Sequence, residues 1–195
     1  MKLTDEEVIG KIKENKLIII TGTTNGRTRI RSLIRDNIGP KRIIDTRMYS
    51  KQYGYTNFYL HKTTIFPLYM NKANYDNLIK ILNNLVKKRR PVIVDSFTDV
   101  QNIIRGEFIR TMGEKTDEHK YRVRDLDWGF FKAMIKDAIT KLKKYKKQVI
   151  LFTDLSKNTI DGKIVIRTHY ANFLSYEANL IIQAMDKDNL LIKEK

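Results

Sequence analysis

Three short stretches carry residue types that do chemistry once a fold brings them together. The first is 17-LIIITGTTNGRTR-29, an apolar run followed by small and hydroxyl residues and then an arginine. A phosphate loop reads G-x-x-x-x-G-K-[ST] between a buried strand and a helix. Thr21 through Thr28 align with that pattern: Gly26 stands at the second glycine, Arg27 at the lysine and Thr28 at the hydroxyl. Thr21 replaces the first glycine, with Gly22 beside it. Such a loop binds phosphate through backbone N–H groups and the N-terminus of the next helix. The candidate nucleotide-binding residues are therefore Thr21, Gly22, Thr23, Thr24, Asn25, Gly26, Arg27 and Thr28. Arginine keeps the lysine's charge but is longer and planar, so it binds phosphate as a fork and not as a point charge. An ordinary strand-to-helix turn is the plainer reading of the same residues.

The second stretch is 92-VIVDSFTDV-100, where Asp95 closes an apolar run. An acid at the end of a neighbouring buried strand holds the Mg²⁺ shell in phosphoryl-transfer sites. Asp95 and Thr28 are thus the candidate metal-organising pair, and Asp95 and Arg27 the candidate catalytic pair. A helix cap or turn acid is the alternative for Asp95, with Ser96 and Thr98 able to cap as well. The third stretch is really two strand ends. Asp45 and Thr46 close 41-KRIIDT-46, and Thr153 and Asp154 close 148-QVILFTD-154. In an open parallel sheet, ligands bind outside the carboxyl ends of the strands, so these groups are expected to converge.

The elements that must position them follow from periodicity. Thr4 and Glu7 form a capping-box pattern, predicting a helix over 5–14. Residues 16–21 read as a strand buried on both faces. The loop is expected over 22–28, with a helix over 27–38 on the spacing of Ile30, Leu33 and Ile34, stopped by Gly39-Pro40. Residues 47–71, rich in tyrosine and phenylalanine, suggest irregular or hairpin structure. Helices are expected over 72–90, 98–111 and 126–145, strands over 91–96 and 148–154, and a polar loop over 113–124. The apolar runs flanking 186-DKDN-189 predict a terminal β-hairpin. The alternation argues for an α/β fold with a mainly parallel sheet, organised as one domain over 1–195 with an N-terminal helix in 1–15 and a core in 16–195.

Composition narrows the partners. Lysine and arginine number 38 against 22 acids, a net charge of +16, and the sequence pI is about 9.9. That field attracts polyanions, nucleic acid first among them. A lysine-rich genome is the plainer source of the same charge. The absence of cysteine excludes disulfides, thiolate metal sites and a cysteine nucleophile. His61, His119 and His169 are far apart in sequence, and no zinc motif is present. No apolar run reaches the roughly 18 residues that span a bilayer, and the first 15 residues lack a signal-peptide core. The expectation is an intracellular, cytoplasmic protein with no membrane partner; abundant lysine and isoleucine with few prolines suit a thermophile or its virus.

The ordered set TGTTNGRT, RIIDTR, PVIVDSFTDV, a helix led by Trp128, QVILFTD and a terminal hairpin resembles the RecA-type P-loop ATPases. The small phage and archaeal-virus members that act with single-strand annealing proteins are the nearest in pattern. The resemblance covers about residues 16 to 195. It implies a RecA-like P-loop NTPase fold, ATP and Mg²⁺ as cofactors, DNA (single-stranded in the leading expectation) as partner, a role in recombination or replication, and a possible homo-oligomer. Two departures bear on turnover: the family's lysine is Arg27, and its glutamate after the second strand falls at Arg47. Glu107, Asp99 or Asp154 are the acids available in its place. The family also implies DNA contacts in mobile loops, for which 105-RGEFIRTMGEKTDEHKYRVR-124 offers Arg105, Arg110, Lys120, Arg122 and Arg124, with Phe108 and Tyr121 able to stack on bases. Arg122, Arg124 and Arg167 are arginine-finger candidates. The basic runs 87-KKRR-90 and 141-KLKKYKK-147 end helices, where positive charge is favourable for dipole reasons alone. Two other functions stay open: a non-enzymatic DNA-binding module on a decayed scaffold, and a small nucleoside or nucleotide kinase.

Overall fold

A computed structural model describes residues 4–39, 41–49, 64–69, 72–85, 90–115, 121–122, 128–144, 148–160, 163–168, 171–185 and 190–194. The first helix, α1 (Asp5–Glu14), begins with the expected capping box. Thr4 Oγ1 accepts from the Glu7 N–H at 3.2 Å, and Glu7 Oε2 accepts from the Thr4 N–H at 2.7 Å. Strand β1 (Leu17–Gly22) follows, buried at all six positions, and α2 (Thr24–Asn37) comes straight after it. The chain continues through β2 (Arg42–Asp45), β3 (Thr64–Pro67), α3 (Tyr75–Leu85), β4 (Val92–Asp95) and α4 (Phe97–Met112). A short pair, β5 (Glu114–Lys115) with β6 (Tyr121–Arg122), leads to α5 (Trp128–Lys143) and β7 (Val149–Phe152). A hairpin of β8 (Leu155–Ile160) and β9 (Lys163–Thr168), helix α6 (Ala171–Glu177) and strands β10 (Leu180–Ala184) and β11 (Leu190–Glu194) complete the order.

Seven strands form one sheet in the order β11-β10-β1-β7-β4-β2-β3. Every neighbouring pair is parallel except β10 with β11. The α/β architecture with a mostly parallel sheet is thus as read from the sequence, and so is the terminal antiparallel pair. Within that pair β10 runs parallel to β1, so only β11 is antiparallel to the sheet.

Alternation along each buried strand splits the apolar residues between two faces. On one face Ile18, Ile20, Ile43, Ile93, Ile150 and Phe152 pack with Val8, Ile9 and Ile12 of α1 and Ile30 and Ile34 of α2. On the other, Leu17, Ile19, Val92, Val94, Val149 and Leu151 pack with α3, α4 and α5. An aromatic trio fixes α5 on α4: Phe108 lies 5.3 Å from Trp128 and 5.7 Å from Phe131, ring centre to ring centre. Because all strands but the last run the same way, the carboxyl ends of β1, β2, β4 and β7 line one edge.

Three readings are corrected, and one element is new. The loop expected over 22–28 is absent: one residue, Thr23, separates β1 from α2, because Thr23 caps a helix that starts three residues earlier than its apolar spacing shows. The polar segment 113–124 contains the β5–β6 pair. The helix expected over 72–90 starts at Tyr75, and residues 86–89 lie outside the described residues. The β8–β9 hairpin had no reading of its own. The irregular or hairpin reading for the tyrosines of 50–63, the three histidines, the 186–189 turn, and residues 87–89 and 145–147 of the two basic runs lie outside the described residues.

Lys41 is buried at the carboxyl end of α2, where its ammonium donates to the carbonyls of Ile38 at 2.7 Å, Ile34 at 3.3 Å and Arg35 at 3.4 Å. Burial lowers its pKa to about 8, against the opposing pull of Asp36. The folded chain then releases this proton before the unfolded chain does, whose lysine titrates near 10.5. Between those values the unfolded state binds more protons, so this group makes stability rise with pH. Chemical denaturation from pH 8 to 10.5 is expected to show that rise, and Lys41→Met to flatten it.

Candidate functional site

The two glycines of the phosphate-loop pattern serve packing. Gly22 has φ +139°, a conformation that side chains disfavour, and a Cβ on either Gly22 or Gly26 would overlap the Ala184 carbonyl of β10. That close approach is tied down by hydrogen bonds: Thr23 N–H donates to Ala184 O at 2.9 Å and Thr23 Oγ1 to Met185 O at 2.5 Å. Thr23 Oγ1 also accepts from the Gly26 N–H at 3.2 Å, so one of the free donors of the first helical turn is already satisfied. Thr24 and Asn25 are exposed in that turn. Thr28 is half-buried, and its hydroxyl donates back to the Thr24 carbonyl at 2.9 Å.

Arg27 turns inward. Its Nη1 donates to the Thr153 carbonyl at 3.3 Å and to the Asp154 carboxylate at the end of β7. Arg47, from the turn after β2, holds the other oxygen of the same carboxylate at 2.7 Å and grips Asp99 of α4 with two bonds of 2.5 Å. Thr46 Oγ1 donates to Asp99 at 2.7 Å and accepts from the Ser96 N–H at 2.7 Å. Thr98 Oγ1 accepts from the Asp154 N–H at 2.8 Å. The ends of β2, β4 and β7 and the first turns of α2 and α4 are thereby laced together. Burial pushes the Asp154 pKa up, but hydrogen bonds from Arg27 and Arg47 outweigh it and hold the carboxyl below its ordinary 3.8. The hydrogen bond with Asp99 raises Arg47, keeping it charged.

Asp95 does not face this network. It is buried on the α2 side of the sheet, where Arg31 forks onto both its oxygens: Nε to Oδ2 at 2.7 Å and Nη2 to Oδ1 at 2.9 Å, with the two side chains 1% and 0% exposed. The Arg31 guanidinium also lies 4.2 Å from the Tyr49 ring centre and 4.9 Å from that of Phe152. Tyr49 is placed by Asp45, whose Oδ1 accepts from the Tyr49 N–H at 2.8 Å and the Arg47 N–H at 3.2 Å. Arg31 was not among the sequence candidates. Its signal is position: four residues after Arg27, between Ile30 and Ile34, it breaks the apolar stripe of α2.

On the opposite face lies a polar row. The pairings Ile20 with Phe152 and Asp95 with Phe152 place Thr21, Thr153 and Ser96 side by side, one residue further along β1, β7 and β4. Their hydroxyls, and both polar atoms of the Gln101 side chain in α4, are buried without a hydrogen-bond partner among the described residues.

These contacts decide whether Mg²⁺ and a triphosphate fit the arrangement. Asp95 has both oxygens on a guanidinium, the Thr28 hydroxyl is spent on its own helix, and no open loop of N–H groups precedes α2. Neither group fits, and among the described residues no set of three or more acids or histidines is placed to hold a metal. Arg27, Arg31 and Arg47 stand against Asp45, Asp95, Asp99 and Asp154, so these residues give the edge no positive excess.

Of the nucleic-acid candidates, Arg105 lies 5.7 Å from the Trp128 ring centre and exposed Arg110 pairs with Glu107 at 2.6 Å. Phe108 is fully buried and cannot stack on bases. Arg122 lies in β6 and Arg167 in β9, both described as backbone, while Lys120 and Arg124 lie outside the described residues. No described helix is long and apolar enough to cross a membrane.

The chain matches no protein-family model and no curated protein. Its fold is similar to that of a solved structure described as a prototypical ATPase from the type III secretion system of pathogenic bacteria, with a TM-score of 0.53 and 12% identity. The match covers 87% of this chain and 51% of that one, so this chain spans about half the length of that ATPase. At this identity the likeness is one of fold.

Gly26→Ala is expected to destabilise the chain by about 3 kcal/mol, since backbone must move to admit the methyl group; urea unfolding measures it. Asp154 has a lowered folded pKa, so its contribution is fully present above the unfolded value near 4 and is lost as pH falls through the folded one. Acid titration of unfolding should show this limb shrink in Asp154→Asn.

Proposed function

We propose that the chain is a nucleic-acid-binding module on a RecA-like scaffold, and that it binds without help from nucleotide. The single observation behind this is the inward turn of Arg27. The residue at the phosphate-contacting position is 7% exposed and committed to Asp154 and to the Thr153 carbonyl. With the edge neutralised from within, the +16 charge is carried elsewhere, including the exposed Lys132 and Lys136 of α5. A positive excess of that size favours a polyanion through counterion release, which needs no cofactor.

A second reading, Mg-dependent ATP binding coupled to DNA in recombination or replication, is favoured by the unpartnered row of Thr21, Thr153 and Ser96. Buried hydroxyls without partners are costly, and these lie at the edge where open α/β sheets take ligands. It requires Arg27 to leave Asp154 and Asp95 to be released from Arg31.

Fluorescence anisotropy with a labelled single-stranded oligonucleotide separates the two. The first predicts binding whose affinity falls at least about tenfold from 50 to 200 mM salt and does not change with Mg·ATP. Calorimetric ATP binding that is lost in Arg27→Ala, together with a nucleotide-dependent DNA affinity, would move the assignment to the second. No DNA binding at any salt would sink both.

A further inference from the structure

We propose that Arg31 is a built-in cation that takes the place of a divalent metal at Asp95, making this site metal-free by construction. The acid at the end of β4 stands where phosphoryl-transfer sites keep an acid for Mg²⁺. Here that acid faces α2, and the group that meets it is a guanidinium. The match is complete in hydrogen-bonding terms: a planar fork meets a carboxylate edge-on, with one donor for each oxygen, at 2.7 and 2.9 Å. It is complete in packing terms as well. Tyr49 from the turn after β2 and Phe152 from β7 lie against the guanidinium at 4.2 and 4.9 Å, and the Arg31 side chain is 1% exposed. Three elements besides α2 thus fix the cation, and Asp45 fixes one of them through the Tyr49 N–H.

The chemistry of the substitution is specific. A hydrated metal ion exchanges, needs several oxygen ligands and leaves room for a phosphate oxygen. A guanidinium stays charged, donates without accepting, and closes the site with hydrocarbon and aromatic carbon. Lysine in its place would supply charge without the fork or the flat faces that the rings require. No ligand needs to arrive for the Arg31–Asp95 pair to form. This inference stands apart from nucleic-acid binding and is tested without it.

The test is thermal unfolding of the purified full chain with and without millimolar Mn²⁺ as the probe, in wild type, Arg31→Met, Asp95→Asn and the Arg31→Met/Asp95→Asn double variant. Wild type is expected to move by less than about 1 °C with Mn²⁺. Arg31→Met, with a buried carboxylate left uncompensated, is expected to melt about 10 °C lower and to regain part of that loss in Mn²⁺. The double variant is expected to lose the Mn²⁺ response. Where Arg31→Met alone does not fold, its refolding is run with and without Mn²⁺, beside Arg31→Met/Asp95→Leu as the chargeless control. Recovery only with metal supports the proposal; no recovery with metal while the control folds overturns it. A wild type that Mn²⁺ stabilises, with the effect lost in Asp95→Asn, overturns it too, because Asp95 would then take a metal in spite of Arg31. So does an Arg31→Met variant that folds and ignores Mn²⁺.

Discussion

The ion pair between Arg31 and Asp95 is the constraint around which the rest of the sheet edge is arranged. Two charges removed from water cost several kcal/mol each in desolvation, and their attraction offsets that only when geometry is close to ideal. The structure meets this demand with a fork, two rings and the Asp45 turn that sets Tyr49 in place. Three consequences follow. β4 and α2 are fixed relative to each other across β7. The turn after β2 is held against α2 from the far side of β4. With Asp95 committed there, the remaining acids of the edge, Asp99 and Asp154, are left to Arg47 and Arg27.

That second layer differs in kind. Its pairs are less uniformly buried: Arg27 is inward, but Asp154 is 21% and Arg47 35% exposed, so the Arg47 pairs are screened and individually weak. What makes them more than surface pairs is their linkage: Arg47 bridges two carboxylates and Asp154 bridges two arginines. The edge therefore has a rigid, buried layer on the α2 face and a looser, titratable layer outside it. On the opposite face, the row of Thr21, Thr153 and Ser96 is polar without charge.

Much of the fold was legible in the sequence because buried parallel strands announce themselves as continuous apolar runs. Residues 16–21, 91–96 and 148–154 all became central strands, and Thr4 with Glu7 marked the first helix unaided. The strand ends line one edge, as chain direction alone requires, but their side chains divide between the two faces: Asp95 meets Arg31 on the α2 side, and Thr153 lies on the other. The wiring among them was not legible. A glycine that admits a phosphate and a glycine that admits a neighbouring carbonyl look alike in one dimension, and Gly22 and Gly26 turned out to be of the second kind. Arg31 was passed over because a charge inside an apolar stripe reads as a surface residue until its partner, 64 positions away, is placed beside it. The β8–β9 hairpin was missed for a different reason: its polar first strand, Leu155–Ile160, shows no clean alternation.

The position of β1 has a bearing on how the chain reaches this state. It precedes every other described strand in the chain, yet its two neighbours are β7 and β10, and the contact between Thr23 and Met185 joins residues 162 apart. No adjacent strand in the sheet is available to it until β7 has been made. Contacts of such long range are slow to form, because the loop entropy is lost before the pairing compensates. Until then the four apolar residues Leu17 to Ile20 wait in the nascent chain with unpaired amides, a hazard for premature association.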